Sequence, residues 1–234
     1  MNYLGRSETG NVRSNNEDNY IARTFGDVGV FILTDGIGGI EGGEVASEIA
    51  CVQMDGLVAS EISDSLDTIS FEDFRICMDA FVNSINKSIL LRALEDDDLF
   101  GMGTTLTVLI VREKELFICH VGDARTYLIH GSSITRLTED HLYRNKLVKS
   151  LGVNEYINPS FYRYNIMYGD IILMCTDGLY GTLDDNTITG CLKMRNDLNG
   201  CLDRLFTAAY DNGSTDNLTG IVINTKPGNK RTGD

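Results

Sequence analysis

The sequence predicts an α+β protein of the layered-sandwich kind. Short runs rich in Val, Ile, Leu and aromatic residues recur at 28–34, 104–111, 115–121, 125–130, 170–176 and 218–224. Gly, Asp or Asn bounds each of them, which is strand punctuation. Glu113-Lys114 and Gly131-Ser132 read as tight hairpin connections. Strands in hairpin succession favour antiparallel sheets, and helices grouped between strand blocks pack as layers outside them.

The helical elements follow from periodicity. Residues 44 to 62 form a first, less regular helix with Gly56 inside it. Phe71, Phe74, Met78, Phe81, Ile85 and Ile89 fall at steps of three and four, giving a second helix one apolar face. Ser70 and Asp73 resemble a capping box, with Asp in place of the usual Glu. A third helix is expected around Leu202, Leu205, Phe206 and Ala209. The acidic run 95–98 reads as a solvated loop, and 226–234 as a flexible tail behind a single domain of residues 1–225.

Composition narrows the function. The chain of 234 residues is 42% hydrophobic with two prolines, as in an ordinary globular domain. Its net charge of −14 repels nucleic acid, and no Lys/Arg stripe offsets that field. No apolar run approaches the ~20 residues that cross a bilayer, so no membrane partner is expected. The six cysteines form no C-x-x-C pair and no zinc spacing. Cys119 and Cys175 lie within apolar runs, where a free thiol packs as a small hydrophobe. No apolar signal follows Met1-Asn2-Tyr3-Leu4-Gly5-Arg6, and the cytoplasm is the expected location. A monomer is the expected state.

Several aspartates share one context, an apolar strand that ends in Asp beside Gly. Asp35 precedes Gly36, Asp177 precedes Gly178, Asp123 follows Gly122, and Asp216 stands just before the last strand. Alone, each Asp–Gly reads as turn chemistry. A carboxylate at a strand end nevertheless sits on rigid backbone and projects from the sheet, which suits a metal ligand. The flanking Gly lets the backbone carbonyl reach the same ion. Oxygen ligands without His or Cys favour Mg²⁺ or Mn²⁺ over zinc. Upstream, Arg13 stands four residues before Glu17-Asp18, so that a guanidinium for a phosphate lies near carboxylates for metal-held waters.

Taken in series, R-x-x-N-E-D from Arg13, D-G-x-G-G from Asp35, G-T-T from Gly103, G-D-A-R from Gly122, L-T-x-D-H from Leu137, T-D-G from Thr176 and D-N from Asp216 resemble the metal-dependent serine/threonine protein phosphatases. This is the protein phosphatase 2C family, in its compact bacterial form. The motifs keep the family order from Arg13 to Asn217. The resemblance implies a four-layer α-β-β-α sandwich, two antiparallel sheets flanked by helix pairs. It implies hydrolysis of phosphomonoesters on Ser/Thr phosphoproteins, opposing a Ser/Thr kinase, by a hydroxide held on two Mn²⁺ or Mg²⁺ ions. On the family pattern Asp35 bridges the two ions, the Gly36 carbonyl joins one of them, and Asp177 and Asp216 complete the other's shell. Asp123, shared with Asp177, matches the position of a third, looser ion. Glu17 and Asp18 act through metal-held water, Arg13 holds the substrate phosphate, and Asn217 orients the last ligand. Arg13, Asp18 and Asp35 are thus the expected catalytic residues.

No Cys-x5-Arg nucleophile signature is present. Thr104 and Thr105 read as the start of a core strand, and His120 and His130 as core or edge residues. His141 carries a general-acid role only as a hypothesis. The chain departs from the family where Ile37 replaces a frequent His or Met. It departs again after His141, where a flap of a few tens of residues is missing or severely trimmed. That trimming predicts a more open site and an altered substrate choice. Two other readings are a related phosphohydrolase of a non-protein ester and a non-catalytic binding module. Retention of Arg13, Asp35, Asp177 and Asp216 disfavours the latter.

Overall fold

Each central strand is a continuous apolar run whose alternate side chains must be buried on both faces, so the sheets have to lie between other layers. The computed structural model describes residues 1–37, 42–144, 146–194 and 196–225. Gly38, Gly39, Asn145 and the tail 226–234 lie outside the described residues.

In chain order the elements are β1 (Asn2–Glu8), β2 (Asp18–Phe25), β3 (Val28–Ile37), α1 (Gly43–Leu57), α2 (Phe71–Glu95), β4 (Gly103–Thr104), β5 (Leu106–Val111), β6 (Glu115–Val121), β7 (Arg125–His130), β8 (Ser133–Arg136), β9 (Leu142–Tyr143), β10 (Lys146–Leu147), β11 (Ser160–Asn165), β12 (Ile171–Cys175), α3 (Asp177–Tyr180), α4 (Asp185–Cys191), α5 (Leu198–Asp211) and β13 (Leu218–Asn224). One sheet has the order β1-β13-β12-β7-β8 and the other β11-β6-β5-β3-β2, every neighbour antiparallel. The short β4 continues β5 alongside β3, and β9 with β10 forms a separate small hairpin.

The side chains sort into three cores, which defines four layers. Phe31, Leu33, Leu109 and Ile118 of one sheet meet Ile172, Met174, Ile221 and Ile223 of the other between the sheets. Their alternates, Val30, Ile32, Val108 and Cys119, pack against Ala50 and Met54 of α1 and Phe74, Met78 and Ile85 of α2. On the far side Leu173, Cys175 and Val222 pack against Ile188 of α4 and Leu202, Leu205 and Phe206 of α5. The α-β-β-α sandwich expected from the sequence is therefore the observed architecture.

Local chemistry explains the helix boundaries. Ser70 accepts from the Asp73 amide at 3.0 Å and donates to its carboxylate at 2.7 Å, the expected capping pair. The first helix relaxes into a wider π-helical turn at Val58–Ile62, so its irregularity is real. The acidic run departs from a plain loop: Asp97–Leu99 forms a 3-10 turn that buries Leu99. Among the described residues no helix is long and apolar enough to cross a membrane.

Candidate metal centre

Antiparallel pairing brings the ends of β3, β6 and β12 and the starts of β2 and β13 to one end of the sandwich. That end carries Asp35, Asp123, Asp177, Asp18 and Asp216. Asp18 and Asp35 stand directly opposite each other in the β2–β3 ladder. Two like charges so placed repel, and nothing about sheet stability favours them.

Hydroxyls and amides fix this arrangement from behind. The Asp35 amide donates to Thr105 Oγ1 (3.0 Å), and its carbonyl accepts from Thr104 Oγ1 and the Thr105 amide, both at 2.9 Å. Thr104 ends β4, as a strand residue read from the sequence, whereas Thr105 sits in the break before β5, and both clamp the Asp35 backbone. Thr176 Oγ1 donates to Asp18 Oδ2 at 2.9 Å. Asn217 ties three segments together: its Oδ1 accepts from the Glu17 amide (2.9 Å), and its Nδ2 donates to the carbonyls of Thr9 and Asn15, both at 2.8 Å. The Asn217 amide in turn donates to Asp216 Oδ1 at 2.8 Å.

Two glycines are required by close approach. A Cβ on Gly178 would lie 1.9 Å from the Asn217 carbonyl oxygen, and one on Gly36 would lie 2.3 Å from the Gly43 carbonyl oxygen. Neither neighbour is a side chain that can swing away. Gly36 also donates its amide to the Glu17 carbonyl at 3.0 Å.

The electrostatics identify what these carboxylates lack. Burial raises Asp35 well above the ordinary range, and the charges of Asp18, Asp177, Asp123 and Asp216 push it further. Burial raises Asp18 to about 7, against the opposing hydrogen bonds from Thr219 and Thr176. Asp123 is raised to about 6 by burial, Asp177 and Asp140, and Asp177 rises through burial and Asp216. Glu17 is raised by burial and by Glu44, and its carboxylate lies against Gly43. Arg13 places one guanidinium nitrogen on Asp216 Oδ2 at 2.8 Å, with half its side chain exposed.

The donor set fits hard divalent cations: carboxylate and backbone oxygens gathered where their own repulsion penalises ionisation. Among the described residues no three His, Cys, Asp or Glu side chains already converge as a cage.

The Asp123 loop has its own supports. Tyr180 Oη donates to the Asp123 carbonyl at 3.0 Å, and the Arg125 guanidinium lies 3.8 Å from the Tyr180 ring centroid while binding Asp140. The His141 ring is fully engaged, accepting from the Gly122 amide at Nδ1 (3.0 Å) and lying 2.8 Å from Ser160 Oγ through Nε2. Burial and Lys149 lower its pKa to about 4. With both nitrogens hydrogen-bonded, the ring is placed to position the Gly122 loop. His120 is buried on Thr107 Oγ1 at 2.9 Å, the core role expected of it.

Thr176, Arg125 and Asp140 lie inside motifs that the sequence shows, but the sequence reading gave these three residues no role, and Tyr180 left no signal.

Comparisons with known proteins bear on the family and the fold. The family profile described as protein phosphatase 2C matches residues 7–222. The serine/threonine phosphatase stp of Listeria welshimeri is 28% identical over 93% of this chain and 93% of its own. The serine/threonine protein phosphatase PstP of Mycobacterium tuberculosis is 30% identical over 95% of this chain, which spans 44% of that protein. The crystal structure of a serine/threonine phosphatase from Staphylococcus aureus superposes with a TM-score of 0.86 at 27% identity, over 97% of this chain and 95% of that one. With a profile spanning nearly all of its sheets and the acidic end they share, this chain belongs to the protein phosphatase 2C family.

Proposed function

We propose that this chain is a metal-dependent serine/threonine phosphoprotein phosphatase whose cations are held by Asp35, Asp177 and Asp216. The observation that carries the reading is the mutual repulsion of buried Asp18, Asp35, Asp123 and Asp177, a cost that only bound cations or protons relieve. Family membership and relatives named serine/threonine phosphatases support the substrate class.

When bound, divalent cations acidify a water and draw charge off the phosphoryl oxygens. Mn²⁺ or Mg²⁺ would be held by the carboxylates of Asp35, Asp177 and Asp216 and the Gly36 carbonyl, with Asp123 and Asp177 available to a further ion. Asp18 and Glu17 orient the attacking water and hold its proton. Asn217 keeps Asp216 aimed. Arg13 exchanges Asp216 for the substrate phosphate, where its planar fork binds two oxygens. No side chain attacks phosphorus: burial pushes the thiols of Cys51, Cys119, Cys175, Cys191 and Cys201 up, away from the reactive thiolate. Residues 1–225 act as one catalytic domain. The partners are phosphoproteins modified by an opposing kinase. All six cysteines are free, which supports action in a reducing cytoplasm.

The test is phosphate release from a phosphothreonine peptide, with and without Mn²⁺, by wild type and Asp177→Asn. Release that needs Mn²⁺ and falls in the variant is expected. Metal-independent release, or an unaffected variant, rejects the mechanism.

A further inference from the structure

In a chain of net charge −14, residues 141–154 contain no acidic side chain and hold Arg144, Lys146 and Lys149. Most arginines elsewhere are spent on internal pairs: Arg6 with Asp203, Arg23 with Asp55, Arg112 and Arg163 with Glu115, and Arg125 and Arg136 with Asp140. Among the described residues Arg144 and Lys146 form no ion pair, and both are exposed. Arg144 adopts a φ of 51° at the connection of the β9–β10 hairpin, with its guanidinium 5.3 Å from the Tyr143 ring centroid. Lys149 is lower on the arm, donating to the Asn158 carbonyl at 2.9 Å.

Both feet of this segment stand on the carboxylate-bearing backbone. At one, the His141 amide donates to the Gly122 carbonyl (2.8 Å), next to Asp123. At the other, Leu151 and Thr104 exchange amide–carbonyl bonds of 2.9 and 3.1 Å, and Thr104 holds the Asp35 carbonyl. Val148 closes the arm by donating to the His141 carbonyl at 2.9 Å. The unspent cations are thereby tethered between two loops of the acidic site.

Resting on the phosphatase reading, we propose that this arm is a docking surface for an acidic segment of the phosphoprotein flanking the phosphorylated residue. A phosphopeptide with further carboxylates meets a repelling field over the rest of this protein. At Arg144, Lys146 and Lys149 it meets charge of the opposite sign, on an arm anchored beside Asp123 and to the Thr104 that holds Asp35. The occupant is an extended acidic peptide, and selectivity arises in substrate capture rather than in the chemical step.

The experiment compares phosphothreonine peptides of equal length with Glu, Gln or Lys at the flanking positions, using wild type and the double variant Arg144→Glu/Lys146→Glu with Mn²⁺. Wild type is expected to favour the Glu peptide over the Lys peptide by about tenfold in kcat/KM at low salt, mostly through KM. Salt should erode that preference. The double variant should lose or reverse it while para-nitrophenyl phosphate turnover stays unchanged. Equal kcat/KM for all peptides in wild type, or an undiminished preference in the variant, overturns the proposal. Binding to phosphatidylglycerol vesicles that the variant loses, with peptide preference intact, also overturns it, in favour of a membrane surface. If wild type releases phosphate from neither peptides nor para-nitrophenyl phosphate, the phosphatase reading itself has failed.

Discussion

Gly122 and His141 hold each other at two points. The Gly122 amide donates to His141 Nδ1 at 3.0 Å, and the Gly122 carbonyl accepts from the His141 amide at 2.8 Å. Gly122 has a φ of 117°, and a Cβ there would meet Thr105 at 2.5 Å, so the joint tolerates only glycine. The imidazole therefore positions the Asp123 loop. His141→Ala is expected to lower kcat by about 10- to 100-fold, the usual cost of losing an orienting partner. The shape of the pH–rate profile from about pH 6 to about pH 9 should match wild type, because the ring is neutral throughout that range. A lost limb in the variant's profile contradicts the positioning role.

Cation removal should turn the acidic end into a pH-dependent liability. Asp18 is held at about 7 and Asp123 at about 6 in the folded protein, above the ~4 of an unfolded carboxylate. Below about pH 4 both states carry the proton and the contribution to stability is complete. As pH rises towards about 7, the unfolded chain ionises first and that stability is lost. With chelator present, the melting temperature should fall between about pH 5 and about pH 8. Mn²⁺ should restore it at the upper end, and Asp18→Asn should flatten the slope. A chelated protein equally stable across that interval contradicts the account.

Arg13 pairs with Asp216 at 2.8 Å, and on the proposed mechanism it would compete there with cations and also serve substrate. Arg13→Ala should reduce kcat/KM for a phosphopeptide by about 10- to 100-fold, the worth of a charge-assisted contact. Calorimetric titration with Mn²⁺ should show affinity unchanged or about twofold to fivefold tighter, since Asp216 loses its rival. Loss of Mn²⁺ affinity in this variant would make Arg13 part of the cation shell's architecture instead.

Asn217 joins three segments through its side chain and should matter to stability. Asn217→Ala frees the carbonyls of Thr9 and Asn15 and the Glu17 amide, at a cost of about 2–4 kcal/mol in denaturant unfolding. Gly178→Ala should cost more, because its Cβ meets the Asn217 backbone oxygen rather than a movable side chain. An unfolding midpoint near wild type for Gly178→Ala would show that this joint can open.

The strands legible in the sequence, β3, β5, β6, β7, β12 and β13, occupy the interiors of the two sheets, where both faces are buried and the apolar signal is continuous. Those left unassigned, β1, β2 and β11, are edge strands. Their mixed side chains, as in Ser160–Asn165, carry little apolar pattern. The hairpin connection at Gly131-Ser132 pointed to the remaining edge strand, β8, through its turn alone. The same contrast holds at the site. The aspartates at the ends of interior strands could be read, because Asp–Gly punctuation marks them. The clamp roles of Thr176, Tyr180 and Asp140 depend on partners that the fold brings in from other segments, Asp18, Asp123 and Arg125, which no local pattern records.

The pairing of β1 with β13 along residues 2–8 and 218–224 has a consequence for biosynthesis. β1 leaves the ribosome long before β13 and finds this neighbour only when β13 has emerged, and Arg13 meets Asp216 at the same late moment. Such distant partners make folding slow and leave the early chain without its final fold. A nascent or truncated chain that stops short of β13 leaves β1 without this neighbour and lacks Asn217's ties to Thr9, Asn15 and Glu17.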